Sequence, residues 1–125
     1  MIVRLDHLVL TVASIEATVA FYTSVLGLEK EVFGEGRVAL RFGNQKINLH
    51  QYGKEFEPKA EVPTPGSADL CFITDLPIDQ AKNVVASYGV KLLTDIVPRT
   101  GAVGSIRSFY FRDPDNNLIE VSSYD

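Results

Sequence analysis

The chain repeats itself, and the repeat constrains its fold more than any other feature. Leu5-Asp6-His7-Leu8-Val9-Leu10 sets over Ser67-Ala68-Asp69-Leu70-Cys71-Phe72, so that His7 falls on Asp69, 62 residues on. With the same offset, Gly27-Leu28-Glu29 meets Gly89-Val90-Lys91, each after a helix-like stretch. Arg41 to His50 resembles Arg112 to Glu120, placing His50 on Glu120 at an offset of 70, with the extra residues assigned to loops. A repeat of this length implies two copies of one supersecondary unit. The chain has two histidines, and both fall at repeated points.

Each copy reads as β-α-β-β-β. Residues 2–12 are rich in branched side chains and predict a strand. Ser14 is suited to cap a helix carrying Ile15, Val19, Tyr22 and Leu26 on one stripe. Gly27 fits the position just past its end. Strands are expected at 28–33, 37–42 and 46–51, separated by Gly34, Gly36, Gly43 and Asn44. Residues 53–67 hold three prolines and two glycines and predict a linker. The second copy opens with a strand at 68–74. A helix with Pro77 in its first turn and apolar Ile78, Ala81, Val85 and Tyr88 comes next. Further strands are expected at 90–96, 105–112 and 117–123, the last two joined by the turn Asp113-Pro114-Asp115-Asn116-Asn117. The expectation is one α+β domain over residues 1–125, built from modules 1–53 and 67–125 around linker 54–66.

Composition narrows the function classes. A 125-residue chain with 46% apolar and 22% charged residues is ordinary for one globular domain. A net charge of −4 and no basic stripe argue against nucleic acid. The single cysteine, Cys71, cannot make an internal disulfide, which fits a reducing compartment. No apolar run approaches a membrane span, and a strand pattern begins almost at once, leaving no signal-peptide pattern. A cytoplasmic protein is expected.

Strand alternation assigns the polar residues to one face. In the fourth strand Lys46, Asn48 and His50 oppose Ile47 and Leu49. In the fifth, Asp69 and Cys71 oppose Leu70 and Phe72. In the last, Leu118, Glu120 and Ser122 oppose Ile119 and Val121. His7 joins this set through the repeat, with Leu8 and Leu10 turned to the helix. A lone strand histidine or carboxylate is usually a surface residue. Two histidines and two acids at repeat-equivalent positions on one face point instead to a divalent metal held by His7, His50, Glu120 and Asp69. Such donors suit Ni²⁺, Zn²⁺, Mn²⁺, Co²⁺ or Fe²⁺ and do not choose among them. Arg99 and Thr100, in a loop before the seventh strand, and Arg37 and Arg107, in strands, are candidates to hold a substrate anion. Phe42, Phe109 and Tyr110 read first as core. Cys71 reads as a buried small hydrophobe.

Leu5-Asp6-His7-Leu8-Val9-Leu10, the helix end Phe21-Tyr22 to Leu26-Gly27-Leu28, and Phe111 to Glu120 together resemble the vicinal oxygen chelate superfamily. That superfamily includes glyoxalase I, extradiol dioxygenases, and fosfomycin and bleomycin resistance proteins. Pro65-Gly66-Ser67-Ala68-Asp69-Leu70-Cys71-Phe72 and Pro98-Arg99-Thr100-Gly101-Ala102 are similar to a subgroup of glyoxalase-domain, virulence-associated proteins. The resemblance implies paired modules in an open eight-stranded cup of mixed sheet with outer helices. It also implies a divalent metal chelating a substrate through vicinal oxygens, and a homodimer. It carries His7, His50 and Glu120 over as metal ligands. Asp69 stands where many members have histidine, and is a candidate ligand, orienting partner or base. His50 stands where glyoxalase I has an acid or amide.

The leading expectation is therefore a metal-dependent lyase or isomerase acting on a small molecule such as a thiol conjugate, with Glu120 or Asp69 moving a proton. One alternative is an Fe²⁺ extradiol-type dioxygenase on His7, His50 and Glu120. Another is a non-catalytic protein that sequesters a ligand.

Overall fold

A computed structural model describes residues 1–124 and separates the chain into two compact units, Met1–Ser67 and a second from Ala68 onward. Eight strands and two helices follow in the order β1(His7–Val12), α1(Ile15–Val25), β2(Glu29–Phe33), β3(Arg37–Phe42), β4(Gln45–Gln51), β5(Asp69–Ile73), α2(Ile78–Ser87), β6(Val97–Thr100), β7(Ser105–Arg112) and β8(Leu118–Ser123). The fold is α+β, as the repeat predicts. Hydrogen bonds divide the strands into two mixed sheets of four, ordered β1-β4-β3-β2 and β5-β8-β7-β6. In each, the first strand runs parallel to the last and the other pairs are antiparallel.

In the first unit the Ser14 side chain accepts the Ala17 N–H at 3.1 Å and opens α1. Gly27, at φ +71°, lets the Leu28 N–H turn back to the Tyr22 carbonyl at 3.1 Å and closes it. Tyr22 and Val25 of α1 are buried with Leu10, Val12, Leu40, Ile47 and Leu49 of the sheet, so the apolar parity of the strands faces the helix as expected. In the second unit Ile78, Ala81 and Val85 of α2 are buried with Phe109, Phe111, Ile119 and Val121. Burying such stripes is what holds helix to sheet.

Two expected strands differ. The opening strand begins at His7, and residues 1–6 are exposed coil. The segment 90–96 makes one bridge, Leu92 to Phe111, and the sixth strand is Val97–Thr100 instead. Asp95 explains the delay: its carboxylate accepts the Ile96 N–H at 2.8 Å and pairs with Lys82, making a local turn where a ladder was expected. Pro98 is tolerated because β6 is an edge strand. Among the described residues no helix is long and apolar enough to cross a membrane.

Candidate metal centre

Register decides which donors can meet. In the first unit His7 lies opposite Lys46, Val9 opposite Asn48, and Thr11 opposite His50. His7 and His50 are thus offset by four residues along neighbouring strands, about 13 Å along the sheet. Imidazoles standing off one face at that separation do not reach a common ion. The structure does not bring His7 and His50 together. Asn48 is offset from His7 by only two residues, about 7 Å along the same face.

The second unit repeats this geometry with other residues. Asp69 lies opposite Leu118 and Cys71 opposite Glu120, so Asp69 and Glu120 carry the same two-residue offset as His7 and Asn48. The repeat equivalent of Glu120 is therefore Asn48, 72 residues before it, and His50 matches Ser122. The repeat as read from sequence is out by two residues in the fourth strand. A slip of two keeps every side chain on its face, so sequence reasoning assigns the polar face correctly and misses Asn48. The signal is present: Ile47-Asn48-Leu49 matches Ile119-Glu120-Val121 as apolar-polar-apolar.

A side-chain amide secures each register. Gln45 Nε2 donates to the Leu5 carbonyl at 3.1 Å, tying the start of β4 to the approach to β1. In the second unit Asn117 Oδ1 accepts the Ala68 N–H at 2.9 Å, tying β8 to β5. Asn117 is held in turn by Asp113, whose carboxylate accepts the Asn117 N–H at 2.9 Å and its Nδ2 at 2.8 Å. Asn116 turns the chain at φ 65°. The predicted turn is thus the device that sets Asp69 beside Glu120.

The donors differ in their surroundings. His7 is partly exposed, and its Nδ1 is held by the Asp6 carboxylate at 2.8 Å, a contact that also pulls the Asp6 pKa down. A carboxylate on one imidazole nitrogen orients the other toward a ligand. Asn48 is 5% exposed, and its Oδ1 is buried without a hydrogen-bond partner. His50 is buried; its Nε2 lies 3.4 Å from Arg37 Nη2, and its ring meets Phe56 edge-on. Burial first, and then the Arg37 charge, lower its pKa, against the raising effect of Glu55.

Around Glu120 the polar face is knitted. Ser122 Oγ lies 3.2 Å from Glu120 Oε2, 2.6 Å from Ser108 Oγ and 3.2 Å from Cys71 Sγ. Tyr110, directly opposite Glu120, is half-buried and receives the Arg99 Nε–H at 3.0 Å. Its pKa is raised by burial and by Glu120, against the lowering effect of Arg99. Cys71 is exposed on this face, not buried as expected, because its parity is that of Asp69. Its thiol pKa is raised, by burial of the sulfur first and then by Glu120 and Asp69, which makes it a poor nucleophile.

Among the other expected site residues, Arg99 and Thr100 lie in strand β6 rather than in a loop, Thr100 opposite Ser105. Arg37 shares the face of Asn48. Arg107, opposite Pro98 and Ser123, has the parity of Phe109 and Phe111 and so falls on the other face from Glu120. Phe109 is fully buried core, and Phe42 is half-buried. Among the described residues no cluster of three or more His, Cys, Asp or Glu side chains forms a metal site; Asn48 is outside those four types.

Two βαβββ units with paired donors at the same register points define a family, and comparison with known proteins agrees. Residues 4–121 match the model of the Glyoxalase/Bleomycin resistance protein/Dioxygenase superfamily, and the chain belongs to it. It is 56% identical to virulence protein STM3117 of Salmonella typhimurium, over 97% of this chain and 84% of that protein. It is 58% identical to the glyoxalase domain-containing protein RDO1 of Mycosarcoma maydis, over 96% of this chain and 68% of that one. The structure of an integron cassette protein from the mobile metagenome of V. cholerae superposes with a TM-score of 0.99 at 60% identity, covering 100% of this chain and 98% of that one.

Proposed function

We propose that the protein is a metal-dependent lyase or isomerase that moves a proton between adjacent carbons of a small molecule bearing vicinal oxygens. The observation that carries this reading is the Asn48 side-chain oxygen, buried with no donor to answer it. Such an acceptor is costly to leave unmatched, and a cation would match it. His7 and Asn48 form one donor pair, and Asp69 and Glu120 the other. The first pair offers an imidazole and an amide oxygen, the second two carboxylates. Oxygen donors such as Asn48, Asp69 and Glu120 are harder than the second imidazole read with His50, and favour Mn²⁺ or Fe²⁺ over Zn²⁺.

The metal would supply Lewis acidity, favouring negative charge on a substrate oxygen. The chain's own groups do the rest. Asp6 fixes the His7 ring. Ser122 hydrogen-bonds Glu120 and holds one of its oxygens, leaving the other to take and return a proton. Arg99 and Tyr110 offer charge and a hydroxyl beside it. The dioxygenase reading calls for a second imidazole ligand, and His50 is committed to Arg37 instead.

The acting form is a homodimer. Ile2, Val3 and Leu5 are exposed apolar side chains leading into β1, surface that a second copy would cover, and each open sheet has edges to protect. Light scattering at micromolar concentration should read a dimer, and a monomer would overturn this assignment.

The function is tested on untagged protein reconstituted with each of Mn²⁺, Fe²⁺, Co²⁺, Ni²⁺ and Zn²⁺. Bound metal is measured by elemental analysis, and turnover is followed on hemithioacetals of 2-oxoaldehydes and on catechols. Failure to retain any of these ions would sink the reading, and oxygen uptake on catechol would replace it with the dioxygenase.

A further inference from the structure

The polar face of the first sheet holds a cation that no carboxylate answers. The Arg37 guanidinium lies 5.0 Å from the Phe33 ring centroid and 4.9 Å from that of Phe56. Its Nη2 is 3.4 Å from His50 Nε2, and its Nε is buried without a hydrogen-bond partner. The neighbouring cations differ: Arg41 and Lys46 both reach Glu31, at 3.0 and 3.8 Å. No ion pair to Arg37 forms among the described residues. Glu55, the acid whose charge acts on His50, instead accepts the Gly53 N–H at 2.8 Å. A guanidinium packed between two rings keeps its fork in one orientation, ready for a planar anion.

Its position matters as much as its charge. Arg37 sits one same-face step beyond Ala39, and Ala39 pairs with Asn48. The Arg37 backbone position is therefore about 7 Å along the sheet from that of Asn48, on the same face. We propose that Arg37, braced by Phe33 and Phe56, binds a carboxylate at the far end of the substrate. The substrate class is then a small oxyacid with a vicinal oxygen pair at one end and a carboxylate a short carbon chain away. A single fork matches one carboxylate, whereas a phosphate dianion calls for more cationic donors. The chelating end rests on the metal reading above; the carboxylate site does not.

Two arms test this separately. In the first, ¹⁵N-labelled, metal-stripped protein is titrated with glutarate and, in parallel, with inorganic phosphate. Glutarate should shift the Arg37 Nε–H and His50 ring signals saturably, and R37M should weaken this about tenfold or more. R37K keeps the charge but lacks the fork and should also weaken it, so it decides the matter if R37M does not fold. No saturable shift, an unchanged shift in both variants, or tighter binding of phosphate than glutarate would overturn the proposal. In the second arm Mn²⁺ is restored, and 2-oxoglutarate is compared with 2-oxopentanoate by calorimetry. Their chelating ends are the same. Wild type should prefer 2-oxoglutarate about tenfold, and R37M should bind both alike. Equal affinities in wild type overturn the bridging role. Loss of metal dependence alone, with the first arm intact, faults the metal reading and leaves the carboxylate site standing.

Discussion

The two units share one plan and use it in opposite ways. Both pair the first strand parallel to the last, and both tie those strands with a side-chain amide, Gln45 in one and Asn117 in the other. Yet the polar face of the second unit satisfies itself: Ser108, Ser122, Cys71 and Glu120 form one connected network, and Arg99 meets Tyr110. The polar face of the first unit leaves Asn48 Oδ1 and Arg37 Nε buried and unmatched, whereas such an atom in the second unit, Thr94 Oγ1, lies in the bend before β6 and not on its sheet. Each such group costs about 1–3 kcal/mol. The contrast is between a carboxylate held by its neighbours on one sheet and polar atoms left unmatched on the other.

The largest expected effect breaks or keeps the register assignment. His7→Ala and Asn48→Leu should each drop metal content from about one ion per chain to near none, while His50→Gln retains it. Elemental analysis after dialysis decides this, and loss of metal in His50→Gln with retention in Asn48→Leu would restore His50 as the ligand. Next is Glu120→Gln, which keeps shape and loses basicity. Turnover on the substrate found should fall about 10²–10⁴-fold with the melting temperature nearly unchanged. A wild-type rate would show that Glu120 is neither base nor essential ligand.

Stability sharpens the contrast further. Ser122→Ala removes the hub of the second network and strands the fully buried Ser108 hydroxyl. It should cost about 1–3 kcal/mol in urea unfolding. Asn48→Leu should do the reverse, raising stability by up to about 1 kcal/mol in metal-free protein, because it removes an unmatched acceptor. If both changes destabilise equally, the two faces do not differ as described.

The smallest effect is on pH. The His50 pKa is lowered in the fold, so the unfolded chain takes up a proton on this residue first as pH falls. Its contribution is complete above the ordinary histidine value, about 6.5, and is lost as pH drops from there through the lowered folded value. His50→Gln should therefore flatten the decline in stability that sets in below about pH 6.5. An unchanged slope would mean that His50 titrates normally.

Much of the site is legible in the order of the amino acids. Period-two alternation in Ile47-Asn48-Leu49 and Ile119-Glu120-Val121 assigns the polar face, because that parity survives any slip by two. Asp113 to Asn117 announces its turn through side chains that bond their own backbone. Residues 90–96 mislead because branched side chains favour a strand, while Asp95 offers the backbone a competing local bond. Arg107 misleads because membership of a strand says nothing of which face a residue takes until its register is known.

The amino-acid sequence by itself determined the two βαβββ copies, their helices and caps, and the separation of apolar from polar faces. These follow from local periodicity and turn chemistry, which depend on near neighbours along the chain. Only the tertiary structure decided that Asn48 lies nearer His7 along the sheet than His50 does, and that His50 meets Arg37. Those assignments depend on how far one strand slides along another. Amide ties such as Gln45 to Leu5 set that slide, and they join residues 40 apart in sequence.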